Sequence, residues 1–255
     1  MEPEAGGRKG FVPARVDERF PETSWTLLAK AREQCEEGIR ARDALARRYY
    51  RPVREFLIVL VQNAEVAEDL SQEFFAKLSG PKGLLERATP ERGRFQNLLK
   101  EALRNLVFDH QRRSRKEAFQ RHPDQASDEG WDVLELAELP AAEAVFHREW
   151  VKVTLAEALT RVRARCRERE QKVHLDLFQK RYLSDADVVP SWDELGAPYG
   201  MDQKTARERA DTVARHFRFI LRRMLRNEIT VPGGARATEA AIDEEIKELL
   251  RPLKE

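Results

Sequence analysis

Cysteine is scarce in this chain. Cys35 and Cys166 are the only two, far apart and without CxxC spacing, which argues against a disulfide framework or a zinc site. The five histidines are scattered, no His/Cys/Asp cluster has ligand spacing, and no glycine-rich phosphate loop occurs. A metal or hydrolytic enzyme is therefore the least favoured class, and neither catalytic residues nor a cofactor is expected. No apolar run approaches the roughly 18 residues that a membrane-spanning helix requires. The opening MEPEAGGRKG carries acids and glycines with no apolar stretch behind it, so a secretory signal is not expected and a cytoplasmic location is the default. Strand-type alternation is missing as well, which leaves an all-α fold.

What is abundant is charge: 36% of the 255 residues are Asp, Glu, Lys or Arg, with 41% hydrophobic residues to build a core. The formal net charge of +1 hides an uneven distribution. His110 to Lys116 holds four Lys/Arg and no acid; Asp202 to Arg226 holds eight against three acids. Between them, Pro123 to Phe146 holds seven acids and no Lys or Arg. Two basic segments thus flank an acidic one.

Apolar periodicity predicts helices over 24–38 and 41–62, the second with Leu45, Tyr49, Val53, Phe56, Leu57 and Leu60 on one face and a kink or join at Pro52. A third helix over 65–79 carries the stripe Val66, Leu70, Phe74 and Leu78. A loop rich in Arg and Gly then runs to Arg94. A fourth helix over 94–116 turns Phe95, Leu98, Leu99, Leu103, Leu106 and Val107 inward, and Asn97, Glu101, Arg104, Asn105, Phe108 and Arg112 outward. The composition of 121–142 is that of an acidic linker, with Leu134, Leu136 and Leu139 able to form a short docked turn. Helices over 143–169 and 171–183 follow, then a short one from Ser191, a turn through 197–200, a long helix over 202–229 and an amphipathic ending with Ile242, Ile246 and Leu249. The predicted organisation is a mobile arm (1–20), a helical domain (21–120), the linker (121–142), a second helical domain (143–230) and a tail (231–255).

Three constellations carry function. Ser191 and Glu194 form a capping box, and Asp202 caps the helix that follows, whose first turns present Gln203, Lys204, Thr205, Arg207 and Glu208. This is a helix-turn-helix pattern suited to the major groove, with Arg222 and its neighbours placed for phosphates; a solvated helical hairpin has the same pattern. The outer face of the fourth helix interleaves Phe108 with Arg104, Asn105, Arg112 and Arg113, which suits a strand whose bases can be stacked upon, and equally a plain solvated face. The third helix presents Glu68, Asp69, Gln72 and Glu73 beside Phe74 and Phe75. Neighbouring carboxylates on a regular helix diverge, so a protein-binding face is favoured over acid–base chemistry.

In their order these segments resemble a known family. AEDLSQEFFAKL (67–78) is similar to the polymerase-core-binding helix of bacterial RNA polymerase sigma factors of the extracytoplasmic-function type. ERGRFQNLLKEALRNLVFDHQRRSRK (91–116) resembles their promoter-melting and minus-ten region, and SWDELGAPYGMDQKTARERADTVARHFRFILRRML (191–225) their minus-thirty-five helix-turn-helix. FPETSWTLLAKARE (20–33) and IDEEIKELL (242–250) look like a variant subgroup with a long N-terminal helix and a C-terminal tail. The chain departs from the pattern at Pro198, which should shorten the first helix of the helix-turn-helix, and at Asp202-Gln203-Lys204-Thr205.

The resemblance implies two helical domains, one per promoter element, and binding rather than catalysis. Core RNA polymerase, through its β′ clamp helices, would meet Glu68, Asp69, Gln72, Glu73 and Phe74. The minus-ten element would meet Arg92, Arg94, Phe95, Asn97, Arg104, Asn105, Phe108, Arg112 and Arg113, and the minus-thirty-five element Gln203, Lys204, Thr205, Arg207, Glu208 and Arg222. An anti-sigma or other regulatory protein is a further conceivable partner. Two other classes stay open: a helix-turn-helix regulator acting without polymerase, and a helical protein that mimics a sigma factor. The acidic linker would fold back on the basic faces, run through a basic cleft, or serve as a soluble tether.

Overall fold

A computed structural model describes residues 24–78, 80, 83–89, 94–121, 131–184, 188–226 and 239–250. Every regular element among them is helical: α1 Ser24–Ala31, α2 Glu36–Val61, α3 Ala64–Leu78, α4 Leu84–Arg87, α5 Phe95–Arg121, α6 Trp131–Glu168, α7 Lys172–Tyr182, α8 Trp192–Gly196, a 3-10 turn Ala197–Tyr199, α9 Gln203–Leu225 and α10 Glu239–Leu250. The fold is all-α. No helix among the described residues is long and apolar enough to cross a membrane.

The first two helices are divided differently from the predicted 24–38 and 41–62. α1 stops at Ala31, and Gly38 lies buried in the first turns of α2 instead of ending α1. The chain doubles back so tightly that a Cβ at Gly38 would collide with the Glu33 carbonyl. Arg42 donates to the carbonyls of Ala31 (2.7 Å) and Glu33 (3.0 Å), which satisfies acceptors that the end of α1 leaves open. α2 is continuous through Pro52, so that residue marks no join; it only removes the N–H that would bond the Arg48 carbonyl. Gln62 in the left-handed region ends α2, and the Asn63 side chain starts α3 by accepting from the N–H groups of Glu65 (3.0 Å) and Val66 (3.1 Å).

The segment read as an acidic linker is, from Trp131 onward, the N-terminal part of the 38-residue helix α6; residues 122–130 lie outside the described residues, as does the arm at 1–20. The physical reason is that acids are common in the first turn of a helix, where the dipole favours them. A linker composition and a helix-start composition therefore look alike. The boundary expected at 142–143 falls inside α6. Its most extensive packing is against α2, and its later turns pack on α9. Phe146 meets Phe56 edge-on at 6.1 Å between ring centroids, and Trp150 is fully buried. One apolar cluster runs from Leu28 of α1 through α2, α5, α6 and α9 to Ile246 of α10.

A smaller cluster holds α7, α8 and the start of α9 together through Leu177, Leu195, Ala206 and Ala210. The capping box is present: the Ser191 hydroxyl accepts from the Glu194 N–H at 3.3 Å, and the Ser191 N–H donates to the Glu194 carboxylate at 2.7 Å. α8 spans only five residues before the chain tightens into the 3-10 turn at Pro198, as that proline predicts. Gly200 turns the chain at φ 61°, and Asp202 caps α9 by accepting from the Thr205 N–H at 2.9 Å.

Two expected outcomes test these contacts. A Cβ at Gly196 would lie 2.6 Å from the Met201 carbonyl oxygen, whereas Gly200 has open space and needs only its left-handed backbone. In urea denaturation Gly196→Ala should cost about 1–3 kcal/mol, and Gly200→Asn, which tolerates that backbone, should stay within about 0.5 kcal/mol. The second concerns Glu149 of α6, whose nearly buried side chain is paired with Arg51 (2.7 Å) and Lys152 (2.7 Å). Burial raises its pKa, but Lys152, Arg51 and Arg148 together hold it below the ordinary 4.5. Its stabilising contribution is therefore complete above that value and is lost as pH falls through the lower, folded one. Acid denaturation of Glu149→Gln should accordingly be less steep than that of the unmodified protein.

Candidate nucleic-acid and partner interface

α5 supplies the first face. Its inward stripe, Phe95, Leu99, Leu103, Leu106 and Val107, is buried. Phe95 packs edge-on to Tyr49 at 5.5 Å between centroids and is 4% exposed, so it is a core residue and not a base-stacking one. It heads the same apolar period as Leu99 and Leu103, and that period decides its direction. The outward face presents Asn97, Asn105, Phe108 and Arg112, all exposed. Phe108 is 40% exposed, and Phe119, eleven positions on and thus on the same edge of the helix, is 57% exposed. Phe119 was missed by the sequence reading, although its spacing from Phe108 is legible there. Arg104 and Arg94 are half-buried; the Arg104 Nε is enclosed without a hydrogen-bond partner. Arg92 lies outside the described residues. Beside this edge a cleft of about 460 Å³ opens between α3, α4 and α5, lined among others by Lys77, Arg87, Asn105, Leu106 and Asp109.

α3 supplies the second face, and its five predicted residues separate. Phe74 is 4% exposed, within the stripe of Leu70 and Leu78, so it belongs to the core and not to a partner surface. The Tyr50 hydroxyl and Arg54 Nε (3.1 Å) donate to Glu68, and the hydrogen bonds from Tyr50 foremost, then Gln72 and Arg54, hold its carboxyl below the usual range. Tyr50 itself stacks on Phe75 at 6.1 Å. Glu73 accepts from Lys77 (2.6 Å) and from Arg113 of α5 (3.2 Å), bridging the two helices. Arg113 is thereby engaged within the molecule. Asp69 and Gln72 remain exposed at the centre of this face.

The third face is the N-terminal half of α9. Gln203, Lys204, Arg207 and Glu208 are exposed, with Arg207 3.7 Å from Asp211 on the next turn. Thr205 is half-buried, its N–H committed to Asp202. The C-terminal half of α9 is different. α10 lies on it, with Ile242 fully buried and Ile246 nearly so, and Arg222 donates to Asp243 through Nε (2.8 Å) and Nη2. Arg222 is therefore held by the tail and not open to a phosphate in this arrangement. The amphipathic spacing of Ile242 and Ile246 announced a docking helix, but no sequence signal named α9 as its seat.

The two parts of this seat should differ in weight. Ile242→Ala removes a fully buried side chain and should cost about 2–5 kcal/mol, whereas Asp243→Ala loses an exposed ion pair worth roughly 0–1 kcal/mol. Amide hydrogen exchange across α10 should accelerate strongly in the first variant and only slightly in the second.

Against known proteins, the chain matches no family model, no curated protein and no solved structure.

Proposed function

We propose that this chain is an RNA polymerase sigma factor of the extracytoplasmic-function type, a DNA-binding initiation subunit whose work is binding and not catalysis. The observation that carries the reading is the exposed edge of α5. Amide side chains (Asn97, Asn105), aromatic rings (Phe108, Phe119) and a cation (Arg112) share it, next to a cleft whose lining mixes apolar residues with Lys77, Arg87, Asn105 and Asp109. Unstacking a base costs a few kcal/mol, and a pocket with an adjacent aromatic offsets that cost. In this reading the ring that stacks on the melted minus-ten strand is Phe108, supported by Phe119, with Phe95 holding the helix in place from below.

The neighbouring α3 face fits the polymerase contact. Asp69 is its open carboxylate, presented with the exposed Gln72 to basic side chains of the β′ clamp helices, while Glu68 and Glu73 stiffen the surface through Tyr50, Gln72, Arg54 and Arg113. Gln203, Lys204, Arg207 and Glu208 at the free end of α9 suit base edges in a major groove, as in a helix-turn-helix. Phosphate contacts on α9 would fall to Arg218, which shares the Arg207 edge, since Arg222 is engaged by Asp243. A helix-turn-helix regulator acting alone would use α9 but leave the α3 face without a purpose.

The direct test mixes the purified protein with bacterial core polymerase and sequences the transcripts that start; absence of any specific start overturns the proposal. Asp69→Lys should weaken core binding severalfold in a titration while helical circular dichroism is unchanged, because like charges brought together at an interface are strongly unfavourable. Phe108→Ala should reduce affinity for single-stranded promoter DNA by about 1–3 kcal/mol. Phe95→Ala should instead lower thermal stability, as a core truncation does.

A further inference from the structure

A cluster of basic side chains lies apart from all three faces. Arg165 in the last turn of α6, Arg169 just beyond it, His174 in the first turn of α7, and Arg209, Arg215 and His216 on α9 are its members. α6 and α7 both pack on α9 and on each other, so the three stretches that carry these groups adjoin. Arg165, Arg169, Arg215 and His174 all act on His216, and Arg209 acts on His174. Among the described residues no carboxylate forms an ion pair with any of the six. Arg215 donates to the Thr212 hydroxyl at 3.1 Å, and Glu168 acts on Arg165 only at a distance. The first turn of α7 holds no acid. Two nitrogens, Arg165 Nε and His216 Nδ1, are enclosed without a hydrogen-bond partner.

Such an arrangement is unfavourable as it stands. Enclosed nitrogens without partners lose their hydration, and like charges repel. Burial first, then Arg165, Arg169, Arg215 and His174, push His216 down to about 4, so it is neutral at neutral pH. His174 is likewise lowered, by burial and then by Arg209. A bound anion offsets the charge repulsion and the missing hydrogen bonds: it accepts from the nitrogens, balances the guanidinium charges and favours protonated imidazoles.

Position narrows the ligand further. Arg209 and His216 are two turns apart on one side of α9, about 200° around the helix from Arg207 at 100° per residue. A duplex lying along the Gln203–Arg207 edge does not reach that side.

We infer that Arg165, Arg169, His174, Arg209 and His216, with Arg215 at the rim, form a binding site for a small anion bearing phosphate groups. The inference is independent of the promoter-binding proposal.

The test is a titration of the full chain with inorganic phosphate and with pyrophosphate, following the ring protons of His174 and His216 by nuclear magnetic resonance. Saturable shifts of both rings, stronger for pyrophosphate, are expected. Binding should tighten as pH falls below neutrality, and the pH at which His216 titrates should rise on saturation. Arg165→Gln should weaken pyrophosphate by about tenfold or more, the loss of one charge-assisted hydrogen bond. Should that variant fold poorly by circular dichroism, the exposed Arg169→Gln carries the same expectation in a smaller degree. Arg207→Ala should leave the titration unchanged. Absence of saturable shifts at millimolar pyrophosphate overturns the site. So does a response to short DNA duplexes without one to pyrophosphate, which would assign the cluster to nucleic-acid backbone.

Discussion

The packing of α6 across α2 is the contact on which the rest of this molecule depends. Phe146 and Trp150 enter between the apolar side chains of α2, and the same helix then carries Ala158, Val162 and Cys166 to the core it shares with α9. Charge follows the same line. Three carboxylates of α6 meet three cations of the first half: Glu143 with Lys100 at 3.0 Å, Glu149 with Arg51 at 2.7 Å, and Glu157 with Arg48 at 3.8 Å. Each of these cations sits on α2 or α5, so the two sides of this seam are complementary in charge. Glu149 shows why the seam is specific: a carboxylate this deeply enclosed is tolerated only with its partners in place.

Much of this was legible in the sequence where apolar spacing was regular. The stripe of α3, the two faces of α5, the capping box at Ser191 and the Asp202 cap all follow from periodicities of 3.6 and from the hydrogen-bonding needs of helix ends. The errors share a cause. Phe74 and Phe95 sit at apolar positions of otherwise correct stripes, yet were also assigned to partner surfaces by resemblance to a family; burial follows the stripe. The stretch from Trp131 to Pro140 was read by composition, and composition does not distinguish a tether from the acidic start of a long helix.

Other features lay beyond any local pattern. That α10 returns to α9 and engages Arg222 depends on a pairing between distant segments. The same is true of the basic groups that α6, α7 and α9 bring together, since Arg165, His174 and His216 belong to three separate stretches of chain. Local periodicity decides which side of a helix is covered, and tertiary contacts decide what covers it.

The late arrival of α6 has a consequence for how the chain comes into being. α2 packs chiefly on a helix that follows it only after α3, α4 and α5, so Leu45, Tyr49, Val53 and Phe56 have no complete partner surface until that helix leaves the ribosome. Contacts between residues so far apart slow folding, because loop closure must precede the gain from burial. During synthesis the apolar side of α2 is therefore open to holding chaperones and to other nascent chains for the time that translation needs to reach Trp150.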